Sequence, residues 1–495
     1  MKKTANKVKF TIPEEVSRIT EGLKKAGFEA YIVGGCVRDL FLKKTPKDWD
    51  ITTNAKPEEI MALFEETFYE NNYGTVGIVN KDTKDKTFAV VEVTPYRLEA
   101  IYSDNRRPDY VTFSDKIEND LERRDFTINA IAYSPSKSSV VDLHGGEEDL
   151  KNKIIRTVGE AEKRFNEDGL RILRAIRLHA ELDFTINIET ESALKKTAPL
   201  LEKISKERIR DEFIRIIMSD NPVNALILSH ELGILKYVVP ELEKGIGIEQ
   251  NQAHSYDVWT HNLKTLQHSV DKKWGLTMRL SALFHDIAKP HVREWSEEKK
   301  DWTFYGHDVV GSRLTEKMLK ELRFSKDIIE NVSKLVRWHM FFSDTDQITL
   351  SAVRRLVARV GKENVWDLMN LRMCDRIGTG RPKENPYRLR KYKAMIEEVM
   401  ADPISVGMLK INGNILIEKL KLLPGPKIGF ILHALLEEVI EDPSLNKEDI
   451  LENKANKLAI LSDEELKKIG EQGKVKKEGE QEKKIQEIRG KYWVK

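Results

Sequence analysis

Residues 34–51 read GGCVRDLFLKKTPKDWDI. The preceding EAYIVG (29–34) has the apolar run of a short strand that ends at the glycine pair. CVRDLFL (36–42) then reads as a short helix, Pro46 breaks it, and DWDIT (48–52) returns to strand. Side chains alternate along a strand, so Asp48 and Asp50 share a face while Trp49 and Ile51 pack inward. Two adjacent carboxylates repel unless a cation sits between them, and Mg²⁺ fills that role where a triphosphate is also bound. Paired ions of this kind serve an in-line displacement. Gly34 and Gly35 leave backbone N–H groups open to phosphate oxygens at a helix start, and Arg38 lies one turn further on. In FAVVEVT (88–94), Glu92 alternates with Val91 and Val93 and supplies a third carboxylate. The competing reading is a solvated surface strand after an ordinary turn.

Working outward, residues 14–26 have helical spacing, and GTVGIVN (74–80) and TFAVVEVTPYR (87–97) read as strands rich in Val and Thr. Residues 1–150 are thus expected to form an α+β head with a mixed sheet. From FNEDGLRILRAIRLHAEL (165–182) onward, apolar residues recur every three or four positions, so the rest is expected to be all-α. The expected division is a head at 1–150, a helical neck at 151–240, a histidine-rich domain at 241–385, and a helical region at 386–495. The last 32 residues are a Lys/Glu/Gln run, read as a solvated helix or disordered tail.

A chain of 495 residues, 40% hydrophobic and 33% charged, holds several cores. A net charge of +2 names no partner, so nucleic-acid binding would rest on local basic patches. Cys36 and Cys374 are far apart and form no zinc or disulfide pattern, which fits a reducing compartment. The basic start MKKTANKVKF lacks the apolar core of a secretory signal, and no run is long enough to span a bilayer. A cytoplasmic location without a membrane partner is expected.

Residues 34–51 resemble the signature of class II tRNA nucleotidyltransferases and bacterial poly(A) polymerases, a family with a polymerase β-type head. RRDFTINAIAY (123–133) resembles its ribose-reading motif and DLHGGEEDLKNKIIRTVG (142–159) its hinge. FNEDGLRILRAIRL (165–178) resembles its base-reading motif, and SKERIRDEF (205–213) the helix-stabilising motif that follows. The resemblance implies a CCA-adding enzyme that transfers CMP and AMP from CTP and ATP to the 3′ end of tRNA. Asp48 and Asp50, with Glu92, would be catalytic and hold Mg²⁺. Gly34, Gly35 and Arg38 would hold the triphosphate. Arg124, Asp125, Asn129, Asp168, Arg171 and Arg174 would complete the nucleotide site. Lys206, Arg208 and Arg210 of the neck would meet RNA. At Lys43 the family usually has glycine, which leaves the loop before Asp48 open to question.

The base-reading segment also makes chemical sense by itself. Cytosine and adenine both present an amino donor beside a ring-nitrogen acceptor. Asp168 accepts from the first and Arg171 donates to the second, whereas uracil and guanine present the opposite pattern. The competing reading is an i,i+3 ion pair on a solvated helix. The polar segment 98–122 includes Arg106, Arg107 and Tyr110. It corresponds to the arm that the family needs to switch from C to A addition.

A second constellation lies further on. DVWTHNLKTLQH contains His261, ALFHDIAKP contains His285 and Asp286, and NLRMCDRIG contains Asp375. Imidazole and carboxylate together suit divalent metals. This order resembles the HD phosphohydrolase superfamily, and His307 and His339 are the extra histidines of its two-metal form. A divalent metal (Mn, Ni, Fe or Mg) and hydrolysis of phosphomonoesters or 2′,3′-cyclic phosphates are the implied chemistry. His254 and His268 read as structural or surface groups. Two alternatives stand beside the main reading: a poly(A) polymerase or A-adding enzyme, and an HD phosphohydrolase with a degenerate, RNA-binding head.

Overall fold

The computed structural model describes residues 8–69, 74–81, 83, 85–99, 111–252, 254–341 and 348–466. Arg106, Arg107, Tyr110 and nearly all of the charged tail lie outside them. The chain divides into two compact units, 1–243 and 244–495.

In the first unit, up to residue 142, the strands are β1 (Ala30–Val33), β2 (Asp50–Thr53), β3 (Thr67–Tyr69), β4 (Val76–Val79), β5 (Val90–Pro95), β6 (Arg97–Glu99), β7 (Val111–Phe113), β8 (Ile131–Ser134) and β9 (Ser139–Asp142). Seven form one mixed sheet in the order β3-β4-β5-β2-β1-β8-β9. The β2–β5 pair is parallel, and the other pairs are antiparallel. β6 and β7 pair separately. The helix Glu14–Lys25 buries Val16, Ile19 and Leu23 at helical spacing. Beyond β9 the unit is mainly helical and includes Ala161–Glu167, Leu170–Leu182 and Lys206–Met218. The expected α+β head with a mixed sheet, followed by helices, is what the chain forms.

The helix after the glycine pair runs Gly35–Phe41 and ends at Lys43, whose φ is +56°. Lys44 N donates to Asp39 O at 2.8 Å and Lys43 N to Leu40 O at 3.1 Å. These two bonds form a Schellman cap, whose left-handed position favours glycine. The lysine therefore keeps the loop geometry at a conformational cost. Lys43→Gly should raise stability by about 1 kcal/mol, read as a higher denaturation midpoint at unchanged m-value. An unchanged or lower midpoint would contradict this account.

The second unit is almost all helix, with one short hairpin, Glu294–Ser296 and Asp301–Thr303. One of its cores packs Leu335, Val353, Val357 and Leu368 with Leu389 and Tyr392. Another, further along the chain, gathers Ile411, Leu416, Leu435, Val439 and Leu451. Among the described residues no helix is long and apolar enough to cross a membrane.

Candidate functional site

The first site sits at the ends of β1, β2 and β5. β5 alternates buried Val91 and Val93 with exposed Glu92, as its sequence predicts. Parallel pairing sets Glu92 directly beside Asp50. Asp48 differs from expectation. It occupies an exposed bend because the strand begins only at Asp50, four residues after Pro46. The carboxylate that shares the sheet face with Asp50 is therefore Glu92, and Asp48 lies in the loop that precedes the strand. Trp49 between them is buried, 4% exposed, with its ring 6.5 Å from that of Phe88.

Gly34 has φ +88°, and a Cβ there would meet Arg124 Nη1 at 3.2 Å and Asp50 Oδ2 at 3.3 Å. That backbone favours glycine, and a side chain there would press on both groups. Arg38 donates to Asp39 Oδ1 and, through Nη1, to Asn129 Oδ1 at 2.9 Å. Asn129 donates on to Asp125 Oδ1 at 3.4 Å, and Asp125 Oδ2 pairs with Arg174 at 2.6 Å. A polar chain thus links the glycine turn to the helix Leu170–Leu182. Burial alone would lift the Asp125 carboxyl, but Arg174 and Arg171 hold it down at about 2. Arg123 and Arg124 both bond the fully buried Asp120, which the sequence reading did not single out. The same opposition acts there: burial raises the carboxyl, and the two guanidiniums bring it to about 2.

Asp168 lies just before the helix Leu170–Leu182, and its Oδ1 accepts from Leu170 N at 3.0 Å. Arg208 grips both of its oxygens, at 3.2 and 2.7 Å. Arg208 is therefore committed to a carboxylate rather than displayed for RNA, whereas Lys206 is exposed and Arg210 pairs with Asp211. Arg171 bonds Glu167 at 2.6 Å and the carbonyls of Arg164 and Arg123 at 3.1 Å. A buried Arg177–Glu212 pair, with both bonds at 2.9 Å, joins the helices Leu170–Leu182 and Lys206–Met218.

The second unit brings all six expected metal-ligating residues together. His261 comes from the helix Val258–Asp271, and His285 and Asp286 follow Leu276–Phe284. His307 opens His307–Glu321, His339 closes Lys326–Trp338, and Asp375 lies on Val365–Gly378. His261 Nε2 is 2.9 Å from His285 Nε2, 3.1 Å from Asp286 Oδ2 and 3.5 Å from Asp375 Oδ1. The other oxygen of Asp286 lies 3.3 Å from His307 Nε2 and 3.5 Å from His339 Nε2, and those two nitrogens are 3.3 Å apart. In His285, His307 and His339 the opposite nitrogen, Nδ1, faces a backbone carbonyl at 2.6–3.0 Å. Donation there leaves Nε2 as a lone pair, so the cluster turns acceptors toward one another. Such convergence in a buried site fits cations, with Asp286 facing both halves. His254, set aside in the sequence reading, also belongs here. Its ring lies 5.4 Å from that of His261, and it can share a ligand group with His261 and Asp286.

Residues 30–156 match the family described as Poly A polymerase head domain. Residues 183–246 match "Probable RNA and SrmB- binding site of polymerase A", and residues 293–455 match tRNA nucleotidyltransferase domain 2. Fold and head together define a nucleotidyltransferase. The CCA-adding enzyme of Leuconostoc mesenteroides is 33% identical over 437 residues, 87% of this chain and 92% of its own. The crystal structure of the Bacillus stearothermophilus CCA-adding enzyme in complex with CTP superposes with a TM-score of 0.64 at 26% identity, covering 90% of this chain and 98% of that one. The Thermotoga maritima CCA-adding enzyme complexed with tRNA shares the fold, with a TM-score of 0.56 at 20% identity over 92% and 100% of the two chains. The chain belongs to the family of CCA-adding enzymes.

Proposed function

We propose that this chain adds CMP and AMP from CTP and ATP to the 3′ end of tRNA without a nucleic-acid template, with the residues of the first unit in the following roles. The observation that carries the assignment is Asp50 beside Glu92, with Gly34 packed against Asp50 and Arg124. Asp48, Asp50 and Glu92 would hold Mg²⁺, which when bound offsets the charge of the triphosphate and acidifies the attacking hydroxyl. The tRNA 3′-oxygen bonds to the α-phosphorus, the bond to the β-phosphate oxygen breaks, and pyrophosphate leaves as the hydroxyl proton is lost. Gly34, Gly35, Arg38 and Arg124 hold the triphosphate. Asp125, Asn129 and Arg174 set the ribose, and Asp168 and Arg171 read the base. Lys206 and Arg210 meet the RNA backbone, while Arg208 positions Asp168. The partners are tRNA, CTP and ATP, and the setting is the cytoplasm. The test supplies tRNA lacking its CCA with CTP, ATP or both. C and then A addition that stops at the third nucleotide supports the reading. Long A tails would make the chain a poly(A) polymerase, and no incorporation would overturn the assignment.

A second reading concerns the histidine cluster. Its convergent Nε2 atoms around Asp286 favour two divalent ions and hydrolysis of a phosphate ester. Water adds to phosphorus, the ester P–O bond breaks, and the water proton ends on the leaving oxygen. With the head site removed by Asp48→Ala/Asp50→Ala, protein reconstituted with Mn²⁺ should carry about two ions per chain by elemental analysis, and the same protein with His307→Ala about one. A chain that retains no metal after such loading would sink this reading.

A further inference from the structure

The segment that supplies Asp375 continues into a strongly basic stretch of the second unit. Residues 372–393 hold eight Arg or Lys against two acidic residues, in a chain whose net charge is only +2. This segment begins at the metal-ligand cluster itself. A Cβ on Gly378 would meet the His261 imidazole at 3.1 Å, and one on Gly380 would meet Ser255 Oγ at 3.0 Å. Asp375 has the most exposed side chain of the six clustered residues, at 11%, and Arg372 of the same segment holds its Oδ2 at 2.6 Å. The loop then follows the helix Val258–Asp271. Glu384 pairs with His268 at 3.0 Å and with Lys272 at 2.9 Å. His268 stands two turns beyond His261, about 10 Å along the axis.

Three residues later the helix Tyr387–Val399 begins. Leu389 and Tyr392 point into the core, at 2% and 1% exposure, and this orientation turns Arg388 and Arg390 outward. Tyr387 is 67% exposed, a large aromatic ring among guanidinium groups with no burial to account for it. Arg381 and Lys383 are exposed as well. Exposed aromatics interleaved with Arg and Lys are how proteins hold single-stranded nucleic acid: bases stack on rings while phosphates pair with guanidinium groups. An acidic protein partner would use the charges but not the ring.

We propose that residues 376–391 form a track for single-stranded RNA, with Tyr387 as a stacking platform, that leads a 3′-phosphorylated end to Asp375 and the histidine cluster. The proposal rests on the cluster being a metal-dependent phosphoesterase, and it adds that the substrate is a polynucleotide end rather than a free nucleotide. The test compares the full-length, Mn²⁺-loaded chain with its Tyr387→Ala/Arg388→Gln/Arg390→Gln variant. Substrates are a 3′-phosphorylated ten-nucleotide RNA and p-nitrophenyl phosphate. The variant should raise KM for the RNA about tenfold or more and flatten its salt dependence. Its turnover of p-nitrophenyl phosphate and its CCA addition should stay at the parental level. An unchanged KM for the RNA overturns the track, and so does an equal loss of CCA addition, which would make the surface part of tRNA docking. If the parent hydrolyses neither substrate, the phosphoesterase reading fails by itself. Fluorescence anisotropy with the same RNA then tests the track: binding about tenfold weaker in the variant upholds it, and equal binding overturns it.

Discussion

Asp50→Ala should lower kcat/KM for CMP and AMP addition by about 10³-fold or more while leaving the melting temperature nearly unchanged. The two outcomes separate because Asp50 is only half-buried and stands beside another carboxylate. Removing it relieves like-charge repulsion in the folded protein and costs little packing. A loss of activity from collapse of the fold would instead shift the melting curve. Extension of tRNA lacking its CCA, followed on a gel with CTP and ATP, measures the first quantity, and thermal denaturation of the same sample measures the second. Activity within tenfold of the parent would remove Asp50 from the reaction. Asp48→Ala should behave alike, with an even smaller effect on stability, since its side chain sits in an exposed bend.

Asp168→Asn should alter which nucleotide is chosen more than how fast any is added. Arg208 grips both oxygens of Asp168, and Leu170 N holds Oδ1, so the carboxylate has one orientation and presents its remaining lone pairs in a fixed direction. An asparagine turns one acceptor into a donor. It then repels the amino group of cytosine and welcomes the carbonyl of uracil. The ratio of kcat/KM for CTP over UTP should fall by about 10²-fold. Arg208→Gln should blur the same ratio less, because Asp168 keeps its charge but loses its clamp. A ratio unmoved in Asp168→Asn, measured in single-nucleotide competition, would take base reading away from this residue. Arg208 is 28% exposed in the pair, so water can solvate the stranded guanidinium and the fold should tolerate the change.

These two sites differ in how far local sequence discloses them. Glu92 was legible because alternation along a strand depends only on neighbouring residues, and Val91 and Val93 fix the phase. The left-handed position at Lys43 was flagged only by the family resemblance, and the backbone there explains why glycine is usual. Asp48 was placed on the wrong kind of backbone, because the bend after Pro46 delays the strand to Asp50. Arg208 looked like a display residue because KERIR reads identically whether a guanidinium meets solvent or a carboxylate forty residues away. The Arg177–Glu212 pair was hidden likewise by tertiary packing, whereas the Asp120 clamp has i,i+3 and i,i+4 spacing and was open to a local reading. In the second unit the six clustered residues kept a recognisable order. His254 did not, since its place depends on how a loop folds against Lys289 and Asn251.

The parallel pairing of β2 with β5 has a consequence for how the protein is born. Asp50 and Glu92 come from separate segments, and β1, which lies between β2 and β8, must also wait for β8. Parallel neighbours cannot close through a tight turn, and contacts so distant in sequence form slowly. A nascent chain leaving the ribosome thus cannot set Asp50 beside Glu92 before β5 has emerged, and cannot complete the sheet before β8 and β9 have. The residues proposed to read the base come later still, since Asp168 and its partner Arg208 follow the completed sheet.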